Sequence, residues 1–389
     1  MFGSIYVGLS GLTAYSRGLQ QISGNVANLN SQGFKGQTTT FESVLGGDAR
    51  TGPGTAGGGG GEGVRVAGSR TDFSQGELRQ SDRDLDLAIQ GGGFLMLMRG
   101  SEVAYTRTGS FEVNRDGHVV LSGTDYRLAI LDAAGAPTPV SVAAHRTGTP
   151  AATTTVSFAD NLSSTATSLG IGDVVVYDGN GGRHVWQAQF TKAEGPGDWT
   201  VAVTDDKGKA IGTQTLSFAG GAVSPATASL SFTDADAALT VLFEFGAGVS
   251  SFSAGSVSTL RVASVDGHGT GALTTVGVNA AGRIEIGYSN EEKKELGAVA
   301  VASFRDPAAL DQQAGGLFVD RGGGGRELFA SGDVRAGAVQ SRRLEASNVD
   351  LTVEFSDLIL VQRGFQASSQ IISVTNDMIQ QLFGIRGQG

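Results

Sequence analysis

The stretch LTVEFSDLILVQRGFQASSQIISVTNDMI, Leu351–Ile379, carries an apolar residue every seven positions: Leu351, Leu358, Phe365, Ile372 and Ile379. A seven-residue repeat puts one adhesive seam along a helix, and that seam needs a partner helix. A matching pattern stands at the opposite end of the chain. Leu12, Leu19 and Val26 recur in sevens, and Tyr15, Ile22 and Leu29 recur in step three positions later. The spacing predicts a helix over residues 4–29, stopped by Asn28, Asn30, Ser31 and Gly33. Gly8, Gly11, Gly18 and Gly24 lie inside it. Each costs about 1 kcal/mol relative to Ala, so this helix needs packing to persist. The second helix is expected from near Asn348, capped by Asn348 or Asp350, to about Phe383.

Between the ends the periodicity changes to that of strands. Val64 and Val66 alternate with polar residues, and Leu85, Leu87 and Ile89 form a period-two face ahead of Gly91–Gly93. Tyr105–Asn114 with the Asp116-Gly117 turn reads as a hairpin. Near residues 140–155 the composition shifts to Thr, Ala and Pro, and a second set of strands begins. There Trp186, Ala188 and Phe190 share one face, as do Trp199, Val201 and Val203. Val276, Val278, Ile284 and Ile286 read as the first domain resumed, and Val299–Phe304 as a buried strand. The fold expected is therefore mainly β with terminal α-helices, one β-domain nested inside another, and the helices pairing as a coiled-coil-like inner domain. Its parts are residues 1–30 and 347–389 for the helical domain, 31–75 and 322–346 for connecting linkers, 76–143 and 264–321 for the first β-domain, and 144–263 for the inserted one. The glycine run Gly52–Gly63 reads as a flexible linker.

Composition narrows the function. The 389 residues include 61 glycines and 7 prolines, without a collagen-like period, which fits many tight turns. The net charge of −10 argues against nucleic acid or an anionic membrane as partner. With no cysteine, disulfides and thiolate-ligated metals are excluded. No apolar run is long enough to span a membrane, and Met1–Leu12 lacks the basic start and apolar core of a secretory signal peptide. A protein of this kind that leaves the cell needs another export route.

Catalytic chemistry finds no foothold. The four histidines, His118, His145, His184 and His268, show no ligand spacing, so no metal is expected. Gly58-x-Gly60-x-x-Gly63 formally matches a dinucleotide fingerprint, but strand-like Val64–Val66 follows it where a helix is needed. Asp82, Asp84 and Asp86 alternate as a solvated strand face would, and an EF-hand reading fails because Leu87 and Gly93 stand where Gly and Glu are required. No nucleophile elbow appears. The expectation is a protein that is not an enzyme and carries no cofactor.

Several blocks resemble one family. Ser10-Gly-Leu12, Ile22-Ser-Gly-Asn-Val-Ala-Asn28 (with Asn25) and Gly33-Phe34-Lys35 resemble the N-terminal signature of bacterial flagellar axial proteins, the rod and hook family. Leu85-Asp86-Leu-Ala-Ile89 with Gly93 and Phe94, and Tyr105-Thr-Arg107 with Gly109 and Phe111, resemble its β-domain signatures. Leu344-Glu345-Ala-Ser347-Asn348-Val-Asp350-Leu351, Gln362-Arg363 and Phe365-Gln-Ala367 resemble its C-terminal signature. The inserted segment, with Val176-Tyr-Asp178, Gly181 and His184, resembles the extra domain of the hook members. The resemblance implies a structural hook subunit that self-assembles into a curved, flexible tube and transmits torque from rod to filament. It implies export through the flagellar type III apparatus to the cell exterior, without a cleaved signal peptide. The implied partners are further copies of the chain, the distal rod protein, the hook cap and the hook–filament junction proteins. A rod or junction protein of the same family is the alternative. A secreted β-rich adhesin is a remote one and needs an exposed aromatic cluster, which two Trp and six Tyr scarcely supply.

Overall fold

The computed structural model describes residues 2–43, 63–195, 197–246 and 248–386. Val44 and most of the Gly52–Gly63 stretch, with Gly58 and Gly60, lie outside the described residues. The fold is mainly β with one long helix at each end: α1 (Phe2–Ala27) and α2 (Leu351–Arg386). Contacts divide the chain into two units. One comprises Met1–Ala143, Val276–Glu285 and Glu295–Gly389, and the other comprises Ala144–Thr275 and Ile286–Lys294.

In the first unit, α1 ends in a turn, and two antiparallel strands follow. These are β1 (Gln37–Ser43) and β2 (Val64–Thr71), which pair from Gln37↔Thr71 to Ser43↔Val64 with a bulge at Thr40/Phe41. The remaining β-structure has a core on both faces of its strands. Along Phe94–Arg99, Leu95 and Leu97 enter one cluster, while Phe94 and Met96 enter the other. Along Lys293–Phe304, Val299 and Val301 enter the first, and Ala300, Ala302 and Phe304 the second. Alternate residues of a strand point to opposite faces, so a strand apolar at consecutive positions is one covered on both sides. The period-two reading of Leu85–Ile89 needs the same correction, because Leu87, Ala88 and Ile89 are all buried. Thr108–Val113 and Val119–Leu121 form a hairpin, with Gly117 at φ +82 supplying the left-handed turn residue.

The second unit is an aromatic core wrapped by strands. Ser168–Tyr177, Arg183–Lys192, Asp198–Thr204 and Ala210–Ala219 pair antiparallel in succession. Thr155–Asn161 pairs parallel with Leu239–Glu244 and antiparallel with Arg261–Val265. Trp186, Ala188, Phe190, Trp199, Val201 and Val203 all point into the core, and Phe158 stacks on Phe245 at 4.7 Å between ring centroids.

Candidate assembly site: the paired helices and their root

The helices α1 and α2 lie antiparallel against each other, and glycine sets how closely. A Cβ added at Gly8 would stand 2.6 Å from Ile372 Cγ1, one at Gly11 2.5 Å from Ser368 Oγ, and one at Gly18 3.3 Å from Val361 Cγ1. From the other side, a Cβ at Gly364 would stand 2.5 Å from the ring of Tyr15. Small residues at such spacing let two backbones approach. Gly24 faces open space.

The buried line of α1 therefore runs through Gly8, Gly11, Ala14, Gly18, Ile22 and Asn25. Ile22 lies on it as the sequence suggested, and Tyr15 flanks it, tilted against Phe41 at 5.5 Å. Leu12, Leu19 and Val26 sit one position to the side and are half-buried, as is Leu29 beyond the helix. On α2, Leu358, Ile372 and Ile379 are half-buried, whereas Leu351 and Phe365 are each 37% exposed and belong to the outer surface. Among the described side chains of α2, the buried ones are Glu354, Val361, Ser368 and Thr375. Sequence reasoning passed over all four of these because it followed large apolar residues, and this seam is built mostly from small and polar ones.

Asn25 holds the deep end of the seam. Its Nδ2 donates to Gln37 O and to Glu354 Oε1, both at 2.8 Å, and its Oδ1 accepts from Gln37 N at 3.0 Å. Burial raises the Glu354 carboxyl above its ordinary value, Asn25 opposes that by hydrogen bonding, and nearby Asp357 adds to it.

Where the helices leave the β-structure, signature residues from three distant segments meet. Glu345 Oε1 accepts from Lys35 Nζ at 2.7 Å and from Gly76 N at 2.8 Å; Oε2 accepts from Arg107 Nε at 3.2 Å. Glu345 N donates to Thr108 Oγ1 at 3.0 Å, and Glu345 O accepts from Gly33 N at 2.8 Å. Lys35 and Glu345 side chains are 0% exposed. Lys35 Nζ also donates to Ser74 O at 2.6 Å, and Arg107 Nη1 to Gly93 O at 2.5 Å. The guanidinium lies 5.5 Å from the centroid of Phe94. Burial lowers the pKa of both Lys35 and Arg107, against the pull of Glu345.

The other signature residues brace this root. Gly33, at φ +67, packs where a Cβ would meet Thr108 Cγ2 at 2.8 Å. Half-buried Phe34 offers its carbonyl to Asn348 N at 3.4 Å. Asn348 accepts from Gly36 N and donates to Asp72 O, each at 2.8 Å. Half-buried Ser347 accepts from Val349 N at 3.3 Å. Asp350 caps α2 by accepting from Thr352 N at 2.7 Å. Asn28 donates to Gly24 O at 2.9 Å across the last turn of α1. Gly93 and Gly109 pack where a Cβ would lie 2.4 Å from Ala336 O and from Leu121 Cδ1, and Phe111 is buried beside them. Asp86 corrects the solvated-face reading: it is buried and accepts from Ser81 Oγ at 2.5 Å.

The outer side of α2 carries large apolar residues: Val353, Phe355, Ile359, Leu360 (70% exposed), Ile371, Val374 and Met378 (54% exposed). No helix among the described residues is long and apolar enough to cross a membrane. Nor do three His, Cys, Asp or Glu side chains gather among those residues as a metal site would require.

A family model described as "Flagellar hook protein FlgE/F/G D1 domain" matches residues 88–158. Another, "Flagellar basal body rod FlgEFG protein C-terminal", matches residues 340–385. Together they include Arg107, Thr108 and Glu345 of the root and nearly all of α2. Both models describe flagellar rod and hook proteins. Relatives that match over the whole length are hook proteins. It is 27% identical to the flagellar hook protein FlgE of Salmonella typhimurium over 97% of this chain and 98% of that one. It is 27% identical to that of Treponema pallidum over 99% and 100%, and 28% identical to that of Escherichia coli over 97% and 98%. These matches support a structural subunit of the flagellar hook.

Proposed function

We propose that the α1–α2 pair is the polymerisation element of this subunit. The carrying observation is the distribution of side chains on α2. Glycine, serine, threonine and glutamate face α1, while Leu360, Ile359 and Met378 face away. A helix whose largest apolar side chains point outward is only partly satisfied by its own chain. Burying each such side chain gains roughly 1.5–3 kcal/mol, and further copies of the same pair supply the apolar surface. In this reading residues 1–30 and 347–389 line the inside of a tube, with residues 31–75 and 322–346 connecting them outward. Residues 76–143 and 264–321 form the first β-domain, and 144–263 the inserted one. The seam residues Leu12, Leu19, Val26, Leu351 and Phe365, which the partner helix leaves partly uncovered, serve contacts between subunits.

The tube carries torque from the rod to the filament, so its end partners are the distal rod protein, the hook cap and the hook–filament junction proteins. Export runs through the flagellar type III apparatus without a cleaved signal peptide. Electron microscopy of cells lacking the gene tests the reading. A rod that ends without a hook is expected, and loss of the rod itself points instead to a rod subunit.

A further inference from the structure

The Glu345 side chain and backbone together reach every segment at the helix root. Through Gly33 and Lys35 they hold the chain leaving α1, and through Gly76 the segment that follows β2. Through Arg107 and Thr108 they hold the β-structure. Leu351, where α2 starts, follows shortly after. The charges in this cluster do not balance: two buried cations face one carboxylate, and Arg107 Nη2 has no hydrogen-bond partner. Apolar side chains of similar volume usually hold a core at least as well as a buried ion cluster. What the ions add is direction, because each bond fixes a distance and an angle.

We propose that Glu345 is the positioning residue of a stiff joint, fixing the roots of both terminal helices to the β-structure of the same unit so that rotation of the helices passes outward without slack. This rests on the hook reading above.

Hydrogen exchange on the full-length protein tests it. In Glu345→Gln the amides of Gly33, Gly36, Gly76 and Ala346 are expected to exchange at least about 100-fold faster, while those of Val299 and Val301 stay within about threefold. Thr108→Val removes the hydroxyl that accepts from Glu345 N–H and donates to Leu87 O. It reads the same amides if Glu345→Gln does not fold, with about tenfold acceleration expected. The triple variant Lys35→Met, Arg107→Met, Glu345→Leu keeps the volume and drops the ions. Cells carrying it are expected to build hooks and swim more slowly. Unchanged exchange at the four amides, equal acceleration in the β-core, or full swimming speed in the triple variant overturns the joint. Hooks persisting in cells without the gene overturn the hook reading itself.

Discussion

In the second unit, Trp186, Trp199, Phe243 and Phe245 point inward, and the residues between them on each strand point to water. In the helix pair, Glu354, Ser368 and Thr375 point inward, while Ile359, Leu360 and Met378 point out. The first arrangement buries its aromatic surface within one chain. The second keeps much of its apolar surface uncovered and specifies its internal pairing by close approach and hydrogen bonds. Self-sufficiency and dependence on partners are thus built from the same residue types, differing only in which way the large side chains face.

The sharpest way to break this comparison is to damage the self-sufficient unit. Phe243 touches Phe158, Phe232, Trp186 and Phe245. Phe243→Ala is expected to cost about 3–5 kcal/mol. Both tryptophans lie in this unit, so their fluorescence in urea follows its unfolding alone. The midpoint should fall steeply while helical circular dichroism is lost at its usual concentration. Simultaneous loss of both signals means the two regions do not stand apart.

A smaller effect is expected at the seam. Gly364→Leu drives a side chain into the Tyr15 ring and should cost about 1–3 kcal/mol of helix pairing. Gly24→Ala meets nothing within 4 Å and should stabilise α1 by about 0.5–1 kcal/mol. Thermal melting followed by circular dichroism reads both. Equal responses would show that glycine sits in the seam by accident.

This pair of variants also marks where the sequence was readable. The strands around Trp186 and Trp199 declared themselves by alternation, and the helices by their heptads and the Asp350 cap. The seam itself did not. A leucine in a heptad advertises burial, whereas Gly11, Ser368 and Glu354 are neutral or adverse as core residues and acquire their role only from the facing backbone. Sequence reasoning therefore counted the glycines of α1 as a cost and placed the seam beside its true line. The root was half legible. The motifs contained Lys35, Arg107 and Glu345, but nothing local to any of them shows that they meet.

Outward-facing residues should separate stability from assembly. Leu360→Asn is expected to change monomer stability by no more than about 0.5 kcal/mol, since the side chain is 70% exposed. Sedimentation of the purified protein under polymerising conditions should show assembly lost. Normal polymers from this variant would remove the outer face of α2 from the interface.

The subtlest test is the pH dependence of the seam. An unfolded Glu titrates near 4.5, and burial raises the native Glu354 above that value. The folded pair therefore holds the proton more tightly than the unfolded chain does. Its contribution to stability is greatest below the unfolded value. It falls as pH rises through the window up to the raised native value and is constant above it. Glu354→Gln keeps the side-chain oxygen that accepts from Asn25 and removes the titration. Relative to the parent, the variant's helices should gain little at about pH 4 and more at about pH 7. The melting temperature of the helical signal at the two pH values measures this. A parent and variant that shift in parallel would mean that the Glu354 carboxylate meets water in the folded pair as freely as in the unfolded chain, and that Asn25 orders the seam without any help from burial.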